Sequence, residues 1–170
     1  YKRQDYYYTD AIDEHALGFV KNHDTTAAFF LYLAHYAPHR PLQAPIERIE
    51  ACRERYEVGY DVLREERFEA LQQLGFIKRG TELPLHPRDY KKDPRPSWDS
   101  LDAETKKKWI EEMATYAAMI EIMDEGIGTL IREIKNKGKF EDTLFLFLSD
   151  NGATNEGGLI SQLAADLSNT

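Results

Sequence analysis

Two short runs of apolar residues stand out against a mixed pattern along the chain. Residues 27–34 read AAFFLYLA and residues 143–148 read TLFLFL, and neither run alternates with polar positions. Continuous apolar runs of this length are typical of strands that are buried on both faces of a parallel sheet covered by helices. We therefore predict a buried strand in each run.

Helical periodicity accounts for much of the remaining apolar pattern. The spacing of three to four residues that is typical of amphipathic helices occurs in three segments, residues 9–22, 101–113 and 116–134. Thr9 or Asp10 is a suitable N-cap for the first helix, and Gly138 is a suitable stop for the last one. Gly126 and Gly128 weaken the middle of the last helix, which is tolerable if that face is pressed against a strand. A helix before each apolar run favours an α/β fold over an all-α fold.

A charged segment and a proline-rich segment follow the first apolar run. Residues 46–75 are rich in Glu and Arg and predict further helix. Residues 78–97 predict a long loop, because they contain Pro84, Pro87, Pro94 and Pro96. Loops of this length inside compact domains are usually lids or wrap-around connections. Two buried strands alone leave unpaired edges, so we expect further strands outside this chain or self-association through the open edges.

Composition and charge narrow the classes of function. The 170 residues carry 30 acidic and 22 basic side chains and a formal charge of −8, which argues against a nucleic-acid partner because such proteins need a basic surface. An anionic substrate stays possible, since a bound divalent cation reverses the local field. The one cysteine, Cys52, allows neither an intrachain disulfide nor a cysteine-based zinc site. No apolar stretch is long enough to predict a membrane span.

Asp150 and Asn151 come directly after the second apolar run, before Gly152. Ligands of open α/β sheets bind outside the carboxyl ends of strands, so the position suits a site. A carboxylate beside an amide carbonyl offers two hard oxygen ligands, as Ca²⁺ or Mg²⁺ prefers. The alternative is a simple turn, which these three residues alone favour, because each is a common turn former.

His39 lies in the segment Ala-Pro-His-Arg-Pro, just past the first apolar run. Pro38 and Pro41 stiffen the loop and restrict where the imidazole can point. A histidine held at such a position could donate to an anionic oxygen or act as an acid toward a leaving group. The alternative, which is favoured if the loop is taken alone, is a solvent-exposed histidine without a role.

Several segments, in the correct order, together resemble the sulfatase family of the alkaline-phosphatase-like superfamily. They are YTDAI at 8–12, FFLYLA at 29–34, APHRPLQAP at 37–45, GYDVLREER at 59–67, YAAMI at 116–120 and TLFLFLSDNG at 143–152. The resemblance implies a partial alkaline-phosphatase-like three-layer fold with a mainly parallel sheet flanked by helices. It also implies that residues 1–170 are a central portion of a sulfatase catalytic domain, with a helical and proline-rich insertion at about 46–98.

The resemblance assigns roles to three residues. His39 corresponds to the family's histidine that contacts the sulfate group and assists protonation of the leaving group, so it is implied as both catalytic and substrate-binding. Asp150 and Asn151 correspond to ligands of a divalent cation, most often Ca²⁺, with Mg²⁺ as the alternative. The implied substrate is a sulfate ester, either a sulfated sugar or an aryl sulfate. Family members are commonly periplasmic, secreted or lysosomal, and this chain does not determine its compartment.

The chain also departs from the family pattern. Sulfatases use a formylglycine made from a Cys/Ser-x-Pro-x-Arg motif and an earlier pair of aspartates, and neither occurs here. Cys52 is followed by Arg53-Glu54-Arg55 and is not that nucleophile. We therefore expect an internal fragment that is inactive alone. The alternatives are a phosphatase or phosphodiesterase of the same superfamily, or a non-catalytic remnant that acts as an interaction module.

Overall fold

A computed structural model describes residues 6–84 and 96–151 of the chain. These residues form four α-helices and two 3₁₀ turns, the latter at Glu54–Tyr56 and Trp98–Ser100. The helices are α1 (Tyr8–Asn22), α2 (Ile46–Arg53), α3 (Gly59–Gln73) and α4 (Ala103–Asn136). The chain divides into two compact units: the first unit comprises residues 1–45 and 115–170, and the second unit comprises Ile46–Ala114.

The helix predictions are largely confirmed. The first helix ends at the predicted Asn22, but the predicted N-cap at Thr9 or Asp10 is wrong, because the N-cap is Tyr7 and makes no side-chain cap hydrogen bond. Helices α2 and α3 occupy most of the charged stretch at 46–75. The predicted break between residues 113 and 116 is wrong, because α4 is continuous through it. Its predicted stop is confirmed: Gly138 adopts a φ of 68°, and its N–H donates to the Lys135 carbonyl at 2.9 Å, as in helix ends with a left-handed residue.

The α/β prediction is wrong for the described residues, which contain four helices and no strand. A strand exists only where a neighbour exchanges backbone hydrogen bonds with it, and within the described ranges no such ladder reaches residues 28–36 or 144–148. The prediction of an alkaline-phosphatase-like three-layer fold with a parallel sheet is therefore also wrong for the described residues. An apolar run reports a tendency to be buried, and it carries no information on whether a pairing partner is present.

The first unit buries one side of the segment that was predicted as a strand. Its core cluster joins α1 to α4 through Ala16, Val20, Leu130 and Ile134. Phe29, Leu31 and Leu33 pack against this cluster, whereas the intervening Phe30 and Tyr32 are 88% and 80% exposed. Alternate residues therefore face inward and outward, as in any extended chain laid over a helical surface.

The second unit packs around aromatic rings. Trp98 and Trp109 are buried with their ring centroids 5.2 Å apart at 67°, the edge-to-face arrangement that aromatic pairs favour. Gly59, with a φ of 83°, lies against Trp98 so closely that a Cβ there would be 2.4 Å from the indole ring. On the outside of this unit, Arg53 binds both carboxylate oxygens of Glu111, at 2.7 and 3.0 Å.

Two further predictions can be compared with the structure only in part. The proline-rich loop at 78–97 is non-helical at 78–84 and 96–97, and its centre lies outside the described residues, as does Gly152. In the part of the chain that the structure describes, no helix combines the length and the hydropathy that crossing a bilayer requires.

Candidate functional site

The loop that carries His39 is held by three hydrogen bonds. The His39 N–H donates to the Tyr36 carbonyl at 3.0 Å, which closes a turn over the intervening Ala37 and Pro38. The Tyr36 hydroxyl donates to the Arg40 carbonyl at 2.5 Å, and His39 Nδ1 contacts the same oxygen at 2.7 Å. The Tyr36 and His39 rings lie 5.1 Å apart between centroids, so the imidazole has a defined place although it is exposed.

Proline explains why this loop folds as it does. Pro38 and Pro41 lack an N–H and have restricted φ angles, and the peptide bonds before both are cis. The carbonyl of Arg40 accepts from two side chains, the Tyr36 hydroxyl and His39 Nδ1. Side-chain donors thereby satisfy a backbone group that a regular turn would leave to water.

The contact with Arg40 determines the tautomer of His39. A carbonyl oxygen can only accept, so Nδ1 must carry the proton in this contact. In the neutral ring Nε2 is then an acceptor, and in the imidazolium it is a donor. Nε2 has no hydrogen-bond partner among the described residues, so it is the atom that is available to a ligand.

The far end of the same loop is fixed by a tyrosine that precedes α1. The Tyr7 hydroxyl donates to the Gln43 carbonyl at 2.9 Å. Burial, the largest effect, raises the pKa of the Tyr7 phenol, so this group keeps its proton and remains a donor well above neutral pH. The Gln43 end of the loop is thus tied to the residue that precedes α1.

Asp150 and Asn151 lie at the end of the second apolar run and are exposed. The Ser149 hydroxyl donates to the Asn151 carbonyl at 2.7 Å, which bends the chain there. Within the described ranges the Asp150 carboxylate has no hydrogen bond or ion pair, so its charge is open to a cation. Carboxylate and amide oxygens fit a hard divalent ion.

The structure does not bring the three predicted residues into one contact network. Among the described residues, no hydrogen bond or ion pair joins His39 to Asp150 or Asn151. The same part of the chain contains no cluster of three or more His, Cys, Asp or Glu side chains that could hold a metal. Two shallow surface depressions, one along α1 and one beyond the end of α4, are lined by other residues.

Sequence reasoning missed a buried polar pair in the first unit. His35 Nε2 lies 2.7 Å from Asp13 Oδ1, and the side chains are only 7% and 12% exposed, respectively. The second oxygen, Oδ2, is buried, has no hydrogen-bond partner among the residues that the structure describes, and lies against α4 at Gly126. The available signal was Gly126 itself, because an unexplained glycine inside a helix suggests a close approach.

Comparison with known proteins agrees with the resemblance. A family model described as Sulfatase matches residues 1–167. The chain belongs to the sulfatase family. It is 37% identical to an uncharacterised sulfatase of Schizosaccharomyces pombe over 161 residues, 94% of this chain. It is 38% identical to an arylsulfatase of Klebsiella aerogenes over 149 residues, 88% of this chain.

This sulfatase-family chain spans 28% and 31% of the lengths of those two relatives. The family match confirms the prediction of a sulfatase-family segment, and it covers the His39 loop and the Asp150–Asn151 pair. It does not by itself assign an activity to these residues.

Proposed function

We propose that the chain contributes part of the active site of a metal-dependent enzyme that hydrolyses sulfate esters of sugars or aryl alcohols. His39 contacts the sulfate group and protonates the leaving oxygen, and Asp150 and Asn151 are two ligands of the metal. Residues 1–170 form a central portion of the catalytic domain, with an insertion at about 46–98. The observation that carries the proposal is the bond from His39 Nδ1 to the Arg40 carbonyl, which leaves Nε2 for the substrate.

The fixed tautomer suits a general acid. The imidazolium donates through both nitrogens, so Nε2 can give its proton to the ester oxygen as the S–O bond breaks. The ring that remains is the neutral Nδ1–H tautomer, which is the form that the Arg40 carbonyl stabilises. No rearrangement of the loop is needed, because the same hydrogen bond persists before and after the proton transfer.

The metal assignment rests on donor chemistry. Asp150 and Asn151 would hold Ca²⁺, or alternatively Mg²⁺, and the ion would supply positive charge against the sulfate oxygens. Two ligands are far fewer than the roughly six to eight oxygens that Ca²⁺ takes. The formylglycine nucleophile has no counterpart in this chain either, since Cys52 lacks the required motif. We therefore propose that these 170 residues alone are inactive and that the full-length gene product supplies the remaining groups.

Turnover of 4-nitrocatechol sulfate by the full-length gene product tests the activity. We expect hydrolysis of the sulfate ester and much slower hydrolysis of 4-nitrophenyl phosphate. His39→Ala should lower kcat by about 10²-fold or more, the usual contribution of a general acid. The control is His15→Ala, because His15 is exposed on α1, away from the loop. Equal losses in the two variants would contradict the role of His39.

Calcium titration of the full-length gene product tests the metal ligands separately. Asp150→Ala should weaken Ca²⁺ binding by at least 10-fold, because a charged ligand is lost. Asp142→Ala removes the same charge from an exposed position eight residues earlier and should leave the affinity unchanged. Unchanged affinity in Asp150→Ala would refute the ligand assignment.

Two other functions stay open to experiment. Preference for the phosphate ester would favour a phosphatase or phosphodiesterase, although an Asp-Asn pair suits a single hard cation better than the paired zinc ions of such enzymes. An interaction module is favoured by the exposed apolar side chains, among them Phe30, Leu144 and Leu146, since exposed apolar patches often mark binding surfaces. Light scattering on the 170-residue chain would detect self-association.

A further inference from the structure

The buried pair Asp13–His35 has no part in the chemistry proposed above. Asp13 lies on α1, and His35 lies at the end of the segment that leads into the His39 loop. The contact between Nε2 and Oδ1 is 2.7 Å long, and both side chains are nearly closed to solvent. Such a pair is rarely accidental, because burying polar groups is unfavourable unless they are bonded.

Helix α4 makes room for this pair. A Cβ on Gly126 would lie 1.9 Å from Asp13 Oδ2 and 2.3 Å from its Cγ, so only glycine fits at this position. The carboxylate is therefore fixed from two sides, by the imidazole of His35 and by the backbone of α4. Gly128, two residues on, has its nearest neighbour at 3.5 Å and shows no such approach.

Stability alone does not account for the pair. Replacing a buried ionic pair by apolar side chains of similar volume is often neutral or stabilising, and here Asp13 Oδ2 is buried with no hydrogen-bond partner in the described ranges. The pair instead fixes the register of the segment that contains His35, that is, which of its side chains faces Asp13. A shift of one residue along the segment would turn the side chain at position 35 away from Asp13, because successive side chains of an extended chain point to opposite sides.

That register is transmitted directly to His39. Tyr36 follows His35 in sequence, its carbonyl accepts the N–H of His39 at 3.0 Å, and its hydroxyl donates to Arg40. The Arg40 carbonyl in turn orients the His39 ring. A displacement of His35 therefore moves the two groups that hold the imidazole.

We propose that Asp13 and His35 are positioning residues, which fix the segment that orients His39 for the reaction. The proposal rests on the proposed function, because it assigns the pair to the same reaction. The pair touches neither substrate nor metal in this scheme. It acts only through Tyr36 and the loop.

The apolar double variant Asp13→Leu/His35→Leu tests this in the full-length gene product. It leaves no buried charge unpaired, so the protein should fold with its Tm unchanged or raised. We expect kcat for 4-nitrocatechol sulfate to fall about 10- to 100-fold with little change in KM, since a displacement of about 1 Å can reduce a rate by 10². The single variant His35→Gln keeps a donor toward Asp13 and should retain most of the wild-type kcat.

The His39→Ala background separates positioning from a general structural role. If the pair acts through His39, adding the apolar pair to His39→Ala should change kcat by less than 2-fold. A further 10-fold loss in that background would overturn the proposal, as would an apolar pair with wild-type kcat.

Hydrogen exchange gives a readout that does not depend on catalysis. In the apolar double variant the His39 amide should exchange at least 10-fold faster, whereas the Leu101 amide, bonded to the Trp98 carbonyl in the second unit, should be unchanged. Absence of sulfate-ester turnover in the wild type would refute the proposed function only. An unchanged exchange rate at His39 would refute the positioning role whatever the activity.

Discussion

The close approach of Asp13 to Gly126 makes a quantitative prediction about two glycines of the same helix. Gly126 and Gly128 both lie inside α4, so replacing either by Ala brings the same gain in helix propensity, about 1 kcal/mol. At Gly128 nothing opposes this gain, because the nearest atom, an Arg132 guanidinium nitrogen, lies at an ordinary 3.5 Å. Gly128→Ala should therefore stabilise the protein by about 0.5–1 kcal/mol.

At Gly126 the added methyl group would overlap Asp13. The carboxylate would have to move by more than 1 Å to reach an ordinary contact distance, since the Cβ would lie 1.9 Å from Oδ2. Overpacking of this kind costs about 1–3 kcal/mol, and losing the hydrogen bond to His35 costs about 1.5–3 kcal/mol if a charged group takes part. After the helix gain, Gly126→Ala should destabilise the protein by about 2–5 kcal/mol.

Urea denaturation followed by circular dichroism measures both variants, because α1 and α4 dominate the helical signal of the first unit. Asp13→Ala/Gly126→Ala is the decisive third variant. With the carboxylate removed, Gly126→Ala should become as favourable as Gly128→Ala, so the two substitutions should be strongly non-additive. Equal stability of Gly126→Ala and Gly128→Ala would refute the close approach, and with it the constraint on Asp13.

Two predictions concern the second unit. Gly59→Ala should cost about 2–4 kcal/mol, because it adds a left-handed backbone penalty to a clash with Trp98. Gly75 has a φ of 80° with open space around it, so Gly75→Ala should cost only the backbone penalty. Urea unfolding followed by tryptophan fluorescence measures both variants. Equal losses of stability in Gly59→Ala and Gly75→Ala would show that the clash with Trp98 is absent. The hydrogen bond from Arg53 lowers the pKa of Glu111. The stability that this bond confers is therefore fully present above the usual pKa range of glutamate, and it is lost as the pH falls through the lowered pKa. Glu111→Gln should thus destabilise at pH 7, and the difference from wild type should shrink as the pH falls below the usual glutamate range; a pH-independent difference in Tm would contradict this.

Local signals in the sequence were enough for most of the helices. The end of α4 follows from Gly138, which needs no knowledge of the rest of the fold. The start of α1 does not follow from a capping side chain, because the N-cap is Tyr7 and not the predicted Thr9 or Asp10. The false break near residue 114 came from the periodicity. No Gly or Pro lies between Met113 and Tyr116, so nothing in the sequence stops a helix there.

The strand predictions failed for a reason that a single sequence cannot remove. The apolar content of residues 29–34 was correctly connected to packing, since Phe29, Leu31 and Leu33 contact the core. Whether the opposite side of this segment is covered depends on neighbouring segments, which its own hydrophobic pattern does not specify. Asp13 and His35 were missed for a similar reason, because they lie 22 positions apart and meet only through the packing of α1.

The His39 loop is the part of the candidate site that sequence and structure describe together. The flanking prolines predicted a stiff loop, and the structure adds the hydrogen bonds to Arg40 that fix the tautomer. The roles of His39, Asp150 and Asn151 in sulfate-ester hydrolysis stay predictions, which the variants above are designed to test.

The dependence of the His39→Ala effect on the leaving group tests the central claim most directly. A general acid matters most when the departing oxygen is strongly basic. In the full-length gene product, His39→Ala should therefore lower kcat/KM for an alkyl or sugar sulfate at least 10-fold more than for 4-nitrocatechol sulfate. A loss of the same size for both substrates would contradict the assignment of His39 as the acid.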